Sequence, residues 1–187
     1  MRKVKKLFIY AIIITLLFTT LTFFFDTKAM LTILLFFLMA GSYMTYREKA
    51  GREIIIAFLM ALALTSYYEY IYTTPNLLIG RINLFPLIGW TFGLVLLKEI
   101  YHKIGWKKKF IKITALYIVT LFLIEYLGYY LLKIQLNSDF PSLFGLGILH
   151  APVGMKIFYI TAGPIYLQLT NYLKIKGINK TSKKILA

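Results

Sequence analysis

The chain has 187 residues, of which 59% are hydrophobic, and its mean hydropathy is +0.73. Soluble domains use about 45–50% apolar residues, so this composition argues against a soluble domain and predicts an integral protein of the cell membrane. The chain contains no cysteine, which excludes disulfides, thiolate metal sites and cysteine nucleophiles.

Six apolar runs approach the ~20 residues that a helix needs to cross a hydrocarbon core of about 30 Å. They predict an all-α, polytopic membrane protein with a single domain, in which six transmembrane helices form three hairpins and both termini are cytoplasmic. The predicted spans are residues 7–25, 30–46, 54–73, 83–101, 110–132 and 154–173. Residues 140–153 are too apolar for a simple loop and predict a re-entrant or interfacial segment.

The net charge of +15 is distributed unevenly between the two sides of this topology. Of the 22 Lys and Arg residues, eighteen lie at the termini or in loops on the predicted cytoplasmic side. This asymmetry follows the positive-inside rule and predicts membrane lipid, not nucleic acid, as the partner of the basic charge. A basic loop at Trp106-Lys107-Lys108-Lys109 is compatible with contact to anionic headgroups.

The first hairpin carries no catalytic candidate, whereas the third span carries an acid, Glu69, about four residues or roughly 6 Å from its outer end. Tyr72 at i+3 shares its face. Glu69 could assist chemistry or could extend to the outer water from a tyrosine belt. The fourth span begins at Phe85-Pro86 and contains Trp90.

The fifth span carries Glu125, which lies deeper than Glu69. A charged group at the centre of a membrane helix costs roughly 2.5–3.5 kcal/mol on insertion scales, so such residues usually face the bundle interior and often serve a function. Gly128 at i+3 and Tyr129 at i+4 share the face of Glu125. Glu125 is therefore the principal candidate.

The segment after the fifth span adds polar groups at the same predicted depth. His150 lies in the apolar loop, and Lys156 and Tyr159 lie on the sixth span, which Gly163-Pro164 is expected to kink. We expect Lys156 to pair with Glu125. The predicted catalytic residues are Glu125, Glu69 and His150, and the predicted ligand-binding residues are Lys156, Trp90, Tyr72, Tyr129 and Tyr159.

Two segments place an acid on one helix and a similar proline-led sequence at the start of the next. Pro86-Leu87-Ile88-Gly89-Trp90-Thr91-Phe92 follows Glu69, and Pro152-Val153-Gly154-Met155-Lys156-Ile157-Phe158 follows Glu125. Over residues 60–173 this pattern resembles the membrane lycopene cyclase domain of carotenoid synthesis. The resemblance implies a helical membrane architecture and an isoprenoid-like ligand. Ile88-Gly89 and Gly154-Met155 replace the paired glutamates of that family, so only Glu69 and Glu125 carry over.

The sequence predicts no cofactor and no metal. It has no Asp-rich diphosphate motif, no zinc-binding helix, no phosphate loop and no serine nucleophile elbow. A metal site from His150, Glu125 and Glu69 is conceivable, but a hydrogen-bonded loop histidine is commoner.

Three functions fit these observations. The first is an outer-leaflet cavity that binds or processes a hydrophobic isoprenoid- or lipid-like ligand by acid chemistry, with Glu125 as the acid. The second is the small substrate-binding subunit of a membrane transporter. The third is a structural or assembly subunit in which Glu125 and Lys156 form an ion pair, since buried charge alone does not distinguish a site from a scaffold. The corresponding partners are membrane lipid, a hydrophobic small molecule, a second copy of the chain or other membrane subunits.

Overall fold

The computed structural model describes residues 27–73 and 76–185, which confirm the all-α class. The predicted span 7–25 lies outside these residues. Four helices make up the fold: α1 (Thr27–Tyr67), α2 (Leu84–Lys103), α3 (Lys109–Tyr126) and α4 (Val153–Ile185). The start of α2 and both ends of the helical stretch 109–131 agree with the predicted spans within one residue, whereas α4 continues well past the predicted end at 173.

Helix α1 contains the second predicted span and most of the third. The predicted loop at Tyr46–Glu53 is wrong, because these residues are helical. The third predicted span also ends early, since the helix stops at Tyr67 and residues 68–73 are irregular. The stretch 46–53 contains residues that are good helix formers, including Glu, Lys, Ala and Arg, and a charged sequence of this kind does not by itself break a helix.

Helix α1 nevertheless folds back on itself. A straight helix of 41 residues would be about 60 Å long, yet Lys28 Nζ near its start lies 4.7 Å from the ring centre of Tyr72, five residues beyond its end. Between these points, Glu53 lies 3.4 Å from His102 at the far end of α2. The direction of α1 therefore reverses before Glu53, so that both of its halves pack along α2.

A short β-hairpin precedes α2. Strands β1 (Leu78–Ile79) and β2 (Ile82–Asn83) are antiparallel, with Leu78 opposite Asn83. Gly80 adopts a φ of +59° in the two-residue turn, a conformation that favours glycine. The buried Asn83 caps α2, because its Oδ1 accepts from the Phe85 amide at 3.1 Å.

Helix α3 ends in a π-helical turn, Leu127–Leu131, and a loop containing a 3₁₀ turn, Leu143–Gly145, leads to α4. The kink predicted at Pro164 lies inside the continuous helix α4. One turn earlier, the Tyr159 carbonyl accepts a hydrogen bond from the Tyr117 hydroxyl of α3. This bond joins α3 to α4 close to the proline. The carbonyl that Pro164 leaves without its partner within the helix is that of Ile160, four residues earlier.

The core follows α4 along the bundle. Tyr166 and Leu167 are fully buried and pack against α1, α2 and α3. Lys98 is also fully buried, and its Nζ donates to Asn171 Oδ1 at 2.7 Å. Lys98 lies near the predicted cytoplasmic end of the fourth span, yet its side chain turns inward to α4 and is not solvated.

Within the residues described, two helical stretches are long and apolar enough to cross a membrane, Leu84–Lys103 and Lys109–Leu131. A buried helix of a soluble protein can satisfy the same criteria of length and composition. The six predicted spans are therefore not supported as a set.

Candidate functional site

A cavity of about 360 Å³ lies at one end of the bundle, which we call the Glu125 end. The opposite end, which we call the lysine end, carries Lys103 to Lys112. The walls of the cavity come from α1, the start of α2, the end of α3, the loops and α4. Its lining residues are Leu31, Leu35, Tyr72, Phe85, Ile124, Glu125, Leu127, Gly128, Tyr129, Leu132, Ile134, Leu136, His150 and Tyr159.

Five of the eight predicted site residues therefore share one cavity: Glu125, His150, Tyr72, Tyr129 and Tyr159. Their positions in the sequence span 88 residues, so the fold is what brings them together. Most other lining residues are aliphatic. The cavity consequently combines an apolar wall with a few polar groups, as ligand sites usually do.

Glu125 is the acid of this cavity. Across the part of the chain that the structure describes, its carboxylate forms no hydrogen bond and no ion pair. An unpaired carboxyl group in apolar surroundings favours its neutral form, because burial penalises the charge. Such a group can donate a proton or a hydrogen bond to a molecule in the cavity.

His150 is stacked on a tyrosine ring. The ring centres of His150 and Tyr129 lie 3.9 Å apart with an interplanar angle of 17°, and the Tyr130 ring approaches His150 edge-on at 6.3 Å. Burial, together with the positive charge of Lys156, lowers the pKa of His150 below its ordinary value of 6.5. The imidazole is therefore neutral at neutral pH and able to accept a proton.

The π-helical turn at Leu127–Leu131 places these tyrosines. Two backbone hydrogen bonds close this turn. The Leu132 amide donates to the Leu127 carbonyl at 3.0 Å, and the Ile134 amide donates to the Gly128 carbonyl at 2.8 Å. Single π turns within α-helices frequently occur at functional sites. Here the turn directly follows the segment that carries Glu125 and supplies three lining residues, Leu127, Gly128 and Tyr129. Leu132, just beyond the turn, is a fourth.

Two loops cover the cavity at the Glu125 end. Backbone bonds join them, from Thr73 N to Gln135 O at 2.9 Å and from Asn137 N to Ile71 O at 2.7 Å. Tyr72 lies between these bonds and pairs with Leu136, so both residues line the cavity from a stable position.

Trp90 supports the site from behind. It does not line the cavity, but its ring centre lies 4.8 Å from that of Tyr159, which does. Phe158 packs on the same indole at 5.6 Å. Trp90 therefore fixes the position of Tyr159, which is 5% exposed.

Lys156 also lies outside the cavity lining, and the expected ion pair with Glu125 does not form among the described residues. Its Nζ donates instead to the Pro141 carbonyl at 2.6 Å. The Lys156 side chain reaches the Pro141 carbonyl from the first turn of α4. Nothing in the sequence identifies that carbonyl as the acceptor, so the bond was not predicted.

Glu69 does not join Glu125. Its carboxylate pairs with Arg81 Nε at 3.7 Å, and the two side chains are 53% and 87% exposed. Because α1 ends at Tyr67, Glu69 lies in the loop after the helix, where it reaches solvent. The two acids thus have different surroundings despite similar sequence contexts.

The described residues contain no group of three or more His, Asp or Glu side chains that could hold a metal ion. Comparison with protein-family models, curated proteins and solved structures finds no match to this chain.

Proposed function

We propose that this protein is a multi-pass helical membrane protein whose cavity binds a hydrophobic, isoprenoid- or lipid-like ligand and processes it by acid chemistry. The observation that carries the proposal is Glu125, whose carboxyl group has no partner within residues 27–73 and 76–185 and lies in a cavity with largely apolar walls. A carboxyl group without a protein partner in such surroundings has a reason to be there if a ligand uses it.

The exposed surface of α3 supports a membrane location. Only 11% of the apolar window in Lys109–Leu131 is buried. Large apolar side chains such as Ile111, Val119 and Leu123 are each more than half exposed. Soluble monomers rarely expose a contiguous apolar surface of this extent, whereas lipid would cover it.

The distribution of charge supports an orientation across the membrane. Lys103, Lys107, Lys108, Lys109 and Lys112 lie at the lysine end, which the positive-inside rule assigns to the cytoplasm. The Glu125 end then faces the other side. In this arrangement the two halves of α1 each cross the bilayer. Phe144, 89% exposed at the tip of the 3₁₀ turn, suits the interfacial segment expected at 140–153.

The chemistry follows from the lining groups. The neutral Glu125 carboxyl would donate its proton to an alkene of the ligand, and the resulting carbocation would lose a proton from a neighbouring carbon to the neutral His150. His150 would then return that proton to the Glu125 carboxylate, so that both groups end in their starting states. Tyr72, Tyr129 and Tyr159 line the cavity, and aromatic rings attract positive charge such as would develop on the ligand. The cavity volume is about 360 Å³. At roughly 30 Å³ for a group the size of a water molecule, it holds about a dozen such groups, so one end of a longer ligand would enter.

The two other functions receive less support. A structural ion pair between Glu125 and Lys156 was the basis of the assembly-subunit hypothesis, and Lys156 bonds to Pro141 instead. A transporter subunit would also need a cavity, but no specific contact among the described residues favours it over ligand processing.

Native mass spectrometry of the purified protein tests the proposal, with extraction of whatever remains bound. We expect the wild-type protein to retain a specific lipid or isoprenoid that Glu125→Gln loses or retains in altered form. Glu69→Gln is the matched control, because it removes an acid outside the cavity and should leave the ligand unchanged. Equal retention of an unaltered ligand by all three proteins would contradict the proposal.

A further inference from the structure

The turn between α2 and α3 carries a cluster of lysines at the lysine end of the bundle. Helix α2 ends at Lys103 and α3 begins at Lys109. The chain changes direction at Lys108, whose φ of +54° lies in the left-handed region. Lys107 and Lys108, together with Lys112 in the first turn of α3, are exposed. Three cations therefore project from a connection of only a few residues.

The protein itself supplies partners for the two lysines that flank this connection. Lys103 Nζ lies 4.0 Å from Glu99 Oε2. Lys109 Nζ donates to the Tyr101 carbonyl at 3.4 Å and lies 4.3 Å from the centre of the Tyr101 ring. The three exposed lysines differ, because no carboxylate in the described part of the chain pairs with them. No acidic residue occurs at positions 100–124, so this surface carries positive charge that its own sequence does not offset.

Apolar side chains lie beside these lysines and are also exposed. Trp106 is 47% exposed and Ile111 is 66% exposed. Lys112 Nζ lies 5.8 Å from the centre of the Trp106 ring, within the range of a cation–π contact, so the indole and the ammonium group form one surface. Tryptophan and lysine side chains together are typical of the boundary between hydrocarbon and headgroups, where an aromatic ring is half immersed and a charge remains hydrated.

The place of this surface along α3 agrees with such a boundary. The helical stretch Lys109–Leu131 has 23 residues. At helical rise these residues span about 34 Å, close to the thickness of a hydrocarbon core of about 30 Å. In the proposed orientation the turn then lies at the depth of the cytoplasmic headgroups, where anionic lipids attract basic clusters next to a membrane span.

We propose that Trp106, Lys107, Lys108 and Lys112, which we call the headgroup surface, bind an anionic phospholipid. The lysines contact its phosphate, and Trp106 packs against its glycerol and upper acyl chain. A nucleic acid would also present phosphates, but it would leave the exposed Ile111 and the adjoining apolar face of α3 without a partner. The proposal rests on the membrane location given under the proposed function, and it is independent of Glu125 and of the cavity.

Quenching of Trp106 fluorescence by brominated lipid tests this proposal. The full-length protein is reconstituted into vesicles of equal parts phosphatidylglycerol and phosphatidylcholine, in which one lipid or the other carries bromine on its acyl chain. The chain contains two tryptophans, so the difference between wild type and Trp106→Phe isolates the signal of Trp106. We expect brominated phosphatidylglycerol to quench it at least about twofold more than brominated phosphatidylcholine, because the lysines enrich the anionic lipid around the indole.

Paired substitutions separate charge from structure. In Lys107→Gln/Lys108→Gln, which keeps two polar side chains but loses both charges, the two brominated lipids should quench Trp106 equally. Lys107→Arg/Lys108→Arg keeps the charges and should retain the wild-type preference. Arg81→Gln/Lys133→Gln is the matched control, because it removes two exposed cations from the Glu125 end and should also retain the preference.

Equal quenching by the two lipids in the wild-type protein would overturn the proposal, as would a preference that survives in Lys107→Gln/Lys108→Gln. Recovery of Trp106 fluorescence on addition of a single-stranded oligonucleotide would assign the surface to nucleic acid and overturn it too. These outcomes are separable from failure of the ligand proposal, which the Glu125→Gln comparison decides. Absence of quenching by either lipid would contradict the membrane location itself and overturn both proposals.

Discussion

At the scale of single residues, surroundings distinguish two glutamates that look alike in the sequence. Glu69 and Glu125 both precede a tyrosine, yet Glu69 is exposed beside Arg81, whereas Glu125 lines an apolar cavity and has no partner in the part of the chain that the structure describes. An exposed pair of this kind contributes little to stability. A half-buried carboxyl group in an apolar wall costs stability when it has no partner, which favours a functional reason for its presence.

Replacing Glu125 by leucine should separate stability from function. We expect Glu125→Leu to unfold at the same temperature as wild type or higher, because an apolar side chain suits this wall better than a carboxyl group. Ligand processing should be lost. Thermal unfolding in detergent gives the comparison, with Glu69→Leu as a control expected to change stability by less than about 0.5 kcal/mol. A large destabilisation confined to Glu125→Leu would instead reveal a structural partner.

Stacking of the Tyr129 ring on His150 should contribute to the stability of the protein at the same site. Tyr129→Ala removes the face on which His150 lies at 3.9 Å, and aromatic pairs contribute about 0.5–1.5 kcal/mol beyond buried area. We expect a loss of thermal stability of at least that size. Tyr129→Phe keeps the ring and should behave as wild type, so equal losses in both variants would show that the hydroxyl, and not the stack, is responsible.

At the scale of elements, continuous apolar runs predicted helices α2 and α3 well, because hydropathy and length decide such segments. The path of α1 could not be predicted, since its charged centre at 46–53 is compatible with helix as well as loop. Glu125, His150 and three tyrosines were predicted as site residues from their predicted depth and from helical spacing. The hydrogen bond of Lys156 to Pro141 and that of Lys98 to Asn171 could not be predicted from the sequence, because each partner is distant in sequence.

The contact between α3 and α4 should be sensitive to a single methyl group. A Cβ at Gly163 would lie 2.7 Å from the Tyr117 ring, whereas a Cβ at Gly93 would meet nothing within 4 Å. Overpacking of a helix interface typically costs about 1–3 kcal/mol, so Gly163→Ala should lower the unfolding temperature. Gly93→Ala should leave it unchanged or raise it, since alanine favours helix. The reverse order of stabilities would show that α3 and α4 do not pack in this way.

At the scale of the whole molecule, the proposed topology places the Glu125 end and the lysine end on opposite sides of a membrane. The absence of cysteine makes this assignment directly measurable, because an introduced cysteine is the only thiol. In intact cells, a membrane-impermeant maleimide should label Asp139→Cys, while Lys107→Cys should react only after permeabilisation. Labelling of both positions from the same side would contradict the topology.

Carbodiimide labelling of the wild-type protein, followed by peptide mass mapping, reports directly on the protonation of Glu125. A hydrophobic carbodiimide modifies protonated carboxyl groups in apolar surroundings. We expect the carbodiimide to modify Glu125 at neutral pH. Glu69, which is exposed and paired with Arg81, should react far less. Bound ligand should protect Glu125. An unreactive Glu125, or equal reaction of both glutamates, would contradict an acid poised in an apolar cavity.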